Sequence, residues 1–308
     1  MYKFSIVVPC LNEEKNIEFF SKEIKLLLDG KYNFSILFVD DGSIDGTWNV
    51  ITDLKKKFSF INGIKLSRNF GKDNAICCGL NNIKDEDFVI TIDADLQHPL
   101  EKIEEMINLW ENDNKIVNTF RINQQENNVR EIGSKLFYYI MNKFSDIVIL
   151  SKTTDFALMD GSVVKQFNQI SENNKQFRSL ISWLGFKRIS IPIKIYSRKN
   201  DKSKFNLLML IKLAINNFSS FSIFPIKIIS YLGVIMSFVT LIISVAIIVN
   251  KIFFNNSLLI GNQVILIFVQ IFLTGMILIS LGFLGLYINK ILNNSNNRPS
   301  YIIEKRTD

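Results

Sequence analysis

The segment DFVITIDADLQHPL, residues 87–100, starts as an apolar run and ends in a polar turn. The run from Phe88 to Ile92 is typical of a strand that is buried on both faces of a parallel sheet. Asp93 and Asp95 follow it, separated by one alanine. Because two unpaired charges are too costly to bury, these carboxylates must face water, a cation or a cationic side chain. The spacing alone is equally compatible with residues that cap the helix predicted in PLEKIEEMINLW.

The first two hundred residues repeat this alternation of strand and helix. Continuous apolar strands that alternate with amphipathic helices predict an α/β domain with a mostly parallel central sheet. Ligands bind outside the carboxyl ends of the strands in such sheets, and Asp40 and Asp41 follow one strand as Asp93 and Asp95 follow another. The strands are predicted at FSIVV, FSILFV, INGIKL and DFVITI, and the helices at residues 14–28, 47–58 and 73–82.

Composition favours a membrane surface or anionic substrates. The 308 residues carry a formal net charge of +7, 48% of them are hydrophobic, and the mean hydropathy is +0.18. The sequence contains no nucleic-acid motif, so we expect no nucleic-acid partner. Cys10, Cys77 and Cys78 lack metal-ligand spacing, and we interpret them as reduced, buried thiols of a cytosolic domain. The start, MYKFSIVVPCLNEE, has too short an apolar run for a cleavable signal peptide.

Two long uncharged segments predict a transmembrane hairpin, at residues 228–249 and 258–288. At about 1.5 Å per residue, either segment can cross a hydrocarbon core of roughly 30 Å. Lysines and arginines flank the pair on both outer sides, whereas Lys251 lies alone between the two segments. Basic residues favour the cytoplasmic side, so we expect a multi-pass protein of the cell membrane with its catalytic domain and both termini in the cytoplasm.

The remaining boundaries follow from these assignments. Residues 1–204 form the α/β domain, and residues 289–308 form a cytoplasmic tail. Residues 205–227 are apolar but interrupted by Lys212, Asn216, Asn217 and serines, which predicts amphipathic helices that lie in the membrane interface. Ordinary core helices of the α/β domain are the alternative.

Two common nucleotide-binding classes lack support. The first strand runs into PCLNEEKNI, and no G-x-G-x-x-G follows it, as a dinucleotide-binding domain would require. No G-x-x-x-x-G-K-[ST] loop is present either, which disfavours a P-loop nucleotidase.

Four blocks in one order and spacing carry a family resemblance. SIVVPCLNEEKNI, FVDDGSIDGTWNVI, LSRNFGKDNAICCGL and TIDADLQHPLEKI resemble the GT-A fold glycosyltransferases of family 2. The two predicted spans, with WLGFKRISIPIKIYSRKNDKSKF before them and RPSYIIEK after them, resemble more narrowly the polyprenyl-phosphate glycosyltransferases. That group includes bactoprenol glucosyltransferases and is related to dolichol-phosphate mannose synthase.

The resemblance implies a nucleotide-sugar site over the strand ends and a divalent cation, Mg²⁺ or Mn²⁺. Hard oxygen ligands suit either ion, and such ions often use substrate phosphates as further ligands. The implied metal ligands are Asp93, Asp95 and Gln97, and the implied catalytic residues are Asp155, Asp95 and Arg121. The nucleotide-sugar contacts that the resemblance implies are Pro9, Leu11, Glu13, Asp40, Asp93, Ala94, Asp95, Gln97, Arg121, Arg198 and Ser203.

The resemblance also implies an acceptor-phosphate site at Arg130, Ser134, Lys135 and Lys204. Arg130 and Ser134 are four residues apart, hence on one face of a helix, and a guanidinium binds phosphate oxygens in pairs. A solvated helix with routine charges is the alternative. His98 has no partner at metal-ligand spacing, and we interpret it as structural.

The implied reaction transfers a sugar to a polyprenyl phosphate such as undecaprenyl phosphate, with inversion, in a single displacement. We expect Asp155 to orient substrate, since a phosphomonoester with a second pKa of about 6 is already largely ionised at neutral pH. Ala157 departs from the arginine that is common after DF, and Arg178 or Lys175 are candidates to replace its charge. Glucose from UDP-glucose is the default donor that the resemblance offers, with GDP-mannose, UDP-GlcNAc or an amino-arabinose donor as alternatives. A processive polysaccharide synthase and an inactive membrane scaffold are the alternative functions, and a homo-oligomer is possible.

Overall fold

The computed structural model describes residues 2–122, 153–172, 175–194, 259–295 and 298–307, together with five single residues between 231 and 242. The strands are β1 (Lys3–Cys10), β2 (Asn33–Asp40), β3 (Ile61–Leu66), β4 (Phe88–Thr91), β5 (Ile116–Arg121), β6 (Thr153–Asp160), β7 (Arg188–Ile193) and β8 (Ile303–Arg306). The helices are α1 (Glu14–Leu28), α2 (Thr47–Lys57), α3 (Lys72–Asn81), α4 (Lys102–Glu111), α5 (Gly161–Gln169), α6 (Phe177–Trp183) and α7 (Leu259–Ser295).

The eight strands in the described ranges form one sheet, which is mostly parallel, as predicted. Its order is β7-β5-β6-β4-β1-β2-β3-β8. β6 runs antiparallel to β4 and β5, β8 runs antiparallel to β3, and the other pairs are parallel. The predicted strand and helix order up to residue 111 is confirmed.

Helices cover both faces of the sheet because alternate side chains of each strand point in opposite directions. Phe4, Ile6 and Val8 of β1 pack into a core with α1, α2 and α4, whereas Val7 packs into a second core with α3, α5 and α6. The three cysteines are free and buried, as predicted. Burial raises the pKa of Cys77 and of Cys78 to about 12, so neither is a thiolate at neutral pH.

The sheet topology brings one end of each central strand to a common edge. β1 to β5 are mutually parallel and end there, and the antiparallel β6 begins there. In register, Thr91 of β4 lies opposite Ala157 of β6, so Asp93 and Asp155 both lie just beyond the paired residues. The predicted acidic residues therefore converge on this carboxyl edge.

The last described residues of the chain add the eighth strand, which the sequence analysis did not predict. β8 pairs with β3 at the sheet border, with Lys305 opposite Lys65. The amide of Gly63 donates to the Thr307 hydroxyl at 2.7 Å, and the Asn81 amide donates to the Tyr301 hydroxyl at 3.0 Å. The end of the predicted tail is thus part of the α/β unit.

A second compact unit contains α7. The predicted second span, residues 258–288, lies almost entirely within this helix. No helix among the described residues is found to combine the length and hydropathy of a membrane span. Residues 205–227 lie outside the described residues. The same is true of residues 228–249, apart from Tyr231, Ile235, Phe238, Val239 and Ile242. The hairpin and the interfacial helices therefore stay predictions.

Candidate active site

A cleft of about 310 Å³ opens at the carboxyl edge of the sheet. It contains six of the residues predicted to contact the nucleotide sugar, and residues that follow β1, β2, β3 and β4 form its walls. The lining residues are Pro9, Cys10, Leu11, Glu13, Asp41, Asn69, Gly71, Lys72, Ala75, Asp93, Ala94 and Asp95.

One wall is built from two loops that hydrogen bond to each other. The amide of Asn12 donates to the Ser43 hydroxyl at 2.9 Å, and the amide of Glu13 donates to the Thr47 hydroxyl at 2.9 Å. Gly42 allows the second loop to approach the residues after β3, because a Cβ at this position would lie 2.4 Å from the backbone carbon of Arg68. The segments after β1, β2 and β3 are therefore fixed relative to one another.

The two aspartates after β2 have different environments. Asp40, the predicted donor contact, is fully buried and accepts the Ser43 amide at 2.8 Å. Asp41 lines the cleft, and its two oxygens accept the amides of Phe70 at 2.7 Å and Gly71 at 2.9 Å. Burial raises the pKa of Asp41, although these two hydrogen bonds oppose the shift. Asp41 thus organises the loop that precedes α3.

The D-x-D segment forms a turn at the cleft and does not cap a helix. α4 begins only at Lys102, which rules out the capping alternative for this helix. Asp95 accepts the backbone amide of Gln97 at 3.2 Å, and both side chains are partly exposed. The oxygens of Asp93 contact Lys72 at 2.5 Å and the ring nitrogen of His98 at 3.3 Å.

His98 is buried in the fold, as expected of a structural residue, but it also contacts Asp93 of the site. The residue is 3% exposed, and its ring lies 5.5 Å from the ring of Phe156. Burial would raise the pKa of Asp93, but the hydrogen bond with His98 and the charge of Lys72 hold that pKa below its usual value.

The carboxyl groups present fit a divalent cation only if substrate supplies further ligands. No cluster of three or more histidine, cysteine, aspartate or glutamate side chains suited to a metal occurs in the described part of the chain. Asp95 and the amide oxygen of Gln97 are hard ligands held in one turn. Mg²⁺ typically uses one or two protein carboxylates together with substrate phosphates, and this donor set matches that pattern.

Asp155 lies between two cations. Arg178 donates to both of its carboxylate oxygens, and Lys72 Nζ lies 2.5 Å from Oδ2. The Thr91 hydroxyl donates to the backbone carbonyl of Asp155 at 2.5 Å. Burial would raise the pKa of the Asp155 carboxyl, but Arg178 and Lys72 hold it far below its usual range.

Arg178 lies near Ala157, which stands where the related sequences commonly have an arginine. Both residues line a small cavity that also contains Thr154 and Asn118. Lys175 instead lies against Phe167, with its ammonium 5.4 Å from the ring centroid. Of the two cations that the sequence analysis considered as replacements, Arg178 is the one that contacts a predicted site residue.

The other predicted site residues are distributed as follows. Arg121 is the last residue of β5, at the same sheet edge, and is partly exposed. The remaining ones lie outside the described residues, namely Arg130, Ser134, Lys135, Arg198, Ser203 and Lys204.

Lys72 is a cleft residue to which the sequence analysis gave no role, whereas it named Asp41 only as one of an acidic pair at a strand end. The available signal was positional, since Lys72 lies in FGKDNA, shortly after the third strand and at the same edge as the two acidic pairs. A lone lysine near a strand end has no recognisable spacing with Asp155, which is more than eighty residues away in sequence.

Comparisons with known proteins find a family match that includes all residues lining the cleft. The family model described as Glycosyl transferase family 2 matches residues 5–167. An uncharacterized glycosyltransferase, YkcC of Bacillus subtilis, is 32% identical over 305 residues, which cover 98% of this chain and 94% of that protein. The SfII prophage-derived bactoprenol glucosyl transferase of Shigella flexneri is 33% identical and covers 98% of both chains.

A solved structure shows a more distant likeness. The crystal structure of glucosyl-3-phosphoglycerate synthase from Mycobacterium tuberculosis, in complex with Mn²⁺, uridine diphosphate and phosphoglyceric acid, is 17% identical with a TM-score of 0.49. The alignment covers 71% of this chain and 78% of that one.

Proposed function

The chain belongs to glycosyl transferase family 2, and from this membership we propose that it transfers a sugar from a nucleotide sugar to a polyprenyl phosphate at a membrane. Its α/β domain with a mostly parallel sheet is the GT-A fold that was predicted. Undecaprenyl phosphate is the proposed acceptor and UDP-glucose the proposed donor, which would give a lipid-linked sugar for modification of cell-envelope glycans.

One observation carries the choice of a lipid acceptor. The family model matches residues 5–167, whereas the relatives named bactoprenol glucosyl transferase match 98% of the chain. The likeness therefore extends through the carboxyl-terminal half, which the shared catalytic domain does not explain. Helix α7 lies in this shared segment and contributes no residue to the described cleft lining, so it is proposed to serve the lipid or the membrane.

The cleft supports the nucleotide-sugar donor. It lies outside the carboxyl ends of parallel strands, where α/β proteins bind nucleotides. Asp95 and Gln97 would hold Mg²⁺ or Mn²⁺, and Asp95 is the main proposed metal ligand because its partly exposed carboxylate lines the cleft in the D-x-D turn. A bound cation would neutralise charge that develops on the departing diphosphate.

The reaction we propose is one displacement at the anomeric carbon, with inversion. A phosphate oxygen of the polyprenyl phosphate attacks that carbon as the bond to the nucleoside diphosphate breaks, and no covalent intermediate with the protein forms. The acceptor needs little help from a base because a phosphomonoester is largely ionised at neutral pH. Asp155, whose two oxygens are bound by cations, is proposed to orient the sugar.

A membrane location is supported by exposed apolar side chains along α7. Large apolar residues are exposed along α7, among them Leu266, Phe272, Ile277, Leu281 and Ile288. Such a surface is unfavourable in water and is typical of a lipid or protein contact.

Because β8 pairs with β3, the amino-terminal domain and the end of the chain lie on the same side of any membrane. Between them the chain can cross only an even number of times, which fits the proposed hairpin.

The cytoplasmic orientation rests on the basic residues that flank the two predicted spans. A reporter at Asn255 should be exposed outside the cell, and the amino-terminal domain should be digested only in lysed or inverted vesicles. Protection of the amino-terminal domain in inverted vesicles would contradict this orientation.

A transfer assay tests the proposed function. The wild-type protein in membranes, supplied with radiolabelled nucleotide sugars, should label undecaprenyl phosphate with a single sugar. Long polymer would indicate a processive synthase, and no product with any donor would indicate a scaffold. UDP-glucose, UDP-GlcNAc and GDP-mannose are compared in parallel, since the described cleft leaves the sugar open.

A further inference from the structure

We infer that Lys72, held in the first turn of α3, is the positioning residue that fixes Asp155 against the donor cleft; this inference rests on the proposed function. The sequence analysis gave Lys72 no role. The structure places it in the cleft wall, between the D-x-D turn and β6.

Lys72 joins two carboxylates that would otherwise repel each other. Its Nζ lies 2.5 Å from Oδ1 of Asp93 and 2.5 Å from Oδ2 of Asp155. Asp93 follows β4 and Asp155 belongs to β6, and no other lysine in the described ranges contacts both. One ammonium thereby sets the distance between the D-x-D turn and Asp155.

The first turn of α3 also helps to position Arg178, the other cation that contacts Asp155. Asp73 accepts the backbone amide of Phe177, the first residue of α6, at 3.2 Å. Arg178 is the next residue and binds both oxygens of Asp155. Adjacent residues of α3 therefore act on Asp155 from two sides, Lys72 directly and Asp73 through the start of α6.

The start of α3 is itself fixed by Asp41. The Asp41 carboxylate accepts the amides of Phe70 and Gly71, which immediately precede Lys72. Gly71 has a φ of 97°, in the region that favours glycine, so the turn into the helix has a specific backbone geometry. A connected path thus leads from the end of β2 to Asp155.

Such positioning matters for the chemistry because group transfer depends on the orientation of the sugar. If Asp155 hydrogen bonds a sugar hydroxyl, a displacement of about 1 Å would cost on the order of a hundredfold in rate. Loss of Lys72 should release Asp155 from Asp93 without removing any predicted contact to the nucleotide. The effect should therefore appear in turnover more than in donor binding.

Kinetics of three variants test this inference. Lys72→Met should lower kcat about tenfold to a hundredfold while the Kd for uridine diphosphate with Mn²⁺, measured by calorimetry, changes far less. Lys72→Arg should recover most of the turnover because a guanidinium can contact both carboxylates. Lys56→Met is the matched control, since Lys56 is an exposed lysine of α2 paired with Asp53. An unchanged kcat in Lys72→Met, or a Kd weakened as much as kcat, would overturn the inference; the second result would make Lys72 a donor ligand.

A stability measurement separates this inference from the proposed function. The free energy of unfolding is compared for Lys72→Met, Asp155→Asn and the double variant. Residues in direct contact give non-additive effects, so the double variant should lose less than the sum of the single losses. Additive losses would refute the bridge. If the wild-type protein transferred no sugar to any lipid, the proposed function would fail, and this cycle would still decide the role of Lys72.

Discussion

Arg178 binds Asp155 through two hydrogen bonds, from Nε to Oδ1 at 2.5 Å and from Nη2 to Oδ2 at 2.8 Å. The paired geometry matches a guanidinium to a carboxylate and is stronger than a single contact. Arg178 thereby contacts both carboxylate oxygens of Asp155, the residue that the family resemblance places beneath the sugar. A carboxylate held in this way is a poor proton acceptor, which favours an orienting role over that of a general base.

The first prediction concerns the pH dependence of turnover. The pKa of Asp155 is held far below its usual range, so this carboxylate stays ionised throughout the neutral range. Wild-type kcat/KM should rise with pH only through the acceptor phosphate, near pH 6. Arg178→Met removes a cation and leaves the burial that raises the pKa, so the inflection of Asp155 should move upward toward the measurable range.

Steady-state profiles between pH 5 and 8 check this prediction, with Lys56→Met as a control that leaves the site intact. The contrary result would be a fall in wild-type kcat/KM at low pH that disappears in Asp155→Asn but persists when the acceptor is changed. It would show that Asp155 itself titrates during catalysis. Asp155 would then be a base after all.

The second prediction concerns the proposed cation. Asp95→Asn should abolish turnover, because it removes the charge of the main proposed ligand at a partly exposed turn. The fold should be little affected, since this residue contributes no apolar contact to either core. Turnover is measured with and without Mn²⁺, and thermal unfolding serves as the control. Near-normal activity of the wild type in EDTA would contradict the metal proposal.

The third prediction concerns the acceptor and falls on a residue outside the described part of the chain. Arg130→Ala should raise the KM for undecaprenyl phosphate about tenfold to a hundredfold, or ~1.5 to 3 kcal/mol, by removing a paired contact to phosphate. Arg130→Lys should restore this only in part, because one ammonium cannot reproduce the paired geometry. Calorimetry should show donor binding nearly unchanged. Weaker donor binding with an unchanged lipid KM would assign this residue to the donor instead.

The predicted fold agreed with the structure where the sequence pattern was local. The run from Phe88 to Ile92 and its counterparts at the first three strands specified a buried parallel sheet, because continuous apolar strands require cover on both faces. β8 was missed since Ile303 to Arg306 is a short, charged stretch that becomes a strand only by pairing with β3. Tertiary pairing of this kind leaves little trace in local composition.

The candidate site was predictable to the extent that strand ends could be located. Asp93 and Asp95 follow a strand directly, so their place in the cleft followed from topology. The sequence analysis assigned no role to Lys72 and left Arg178 as one of two candidate cations, because their meeting at Asp155 depends on the packing of α3 and α6 against distant parts of the chain. Asp40 and Asp41 are adjacent, and only the structure distinguishes the buried residue from the one that lines the cleft.

The fourth prediction concerns the strand that joins the end of the chain to the α/β unit. Gly63 is buried in β3 and its amide donates to the Thr307 hydroxyl at 2.7 Å, while the Thr307 amide donates to the Gly63 carbonyl at 2.9 Å. Thr307→Val keeps the shape and the backbone bond but removes the acceptor. A buried amide left without its acceptor costs about 1–3 kcal/mol, so the free energy of unfolding should fall by that amount.

Thr307→Ser is the matched variant, because it keeps the hydroxyl and loses only a methyl group. Chemical denaturation compares the stabilities, and hydrogen exchange at Gly63 reports the local contact. In Thr307→Val this amide should exchange faster and a protease should remove the end of the chain more readily, whereas Thr307→Ser should resemble the wild type. Equal exchange rates in all three proteins would mean that the Thr307 hydroxyl does not accept the Gly63 amide.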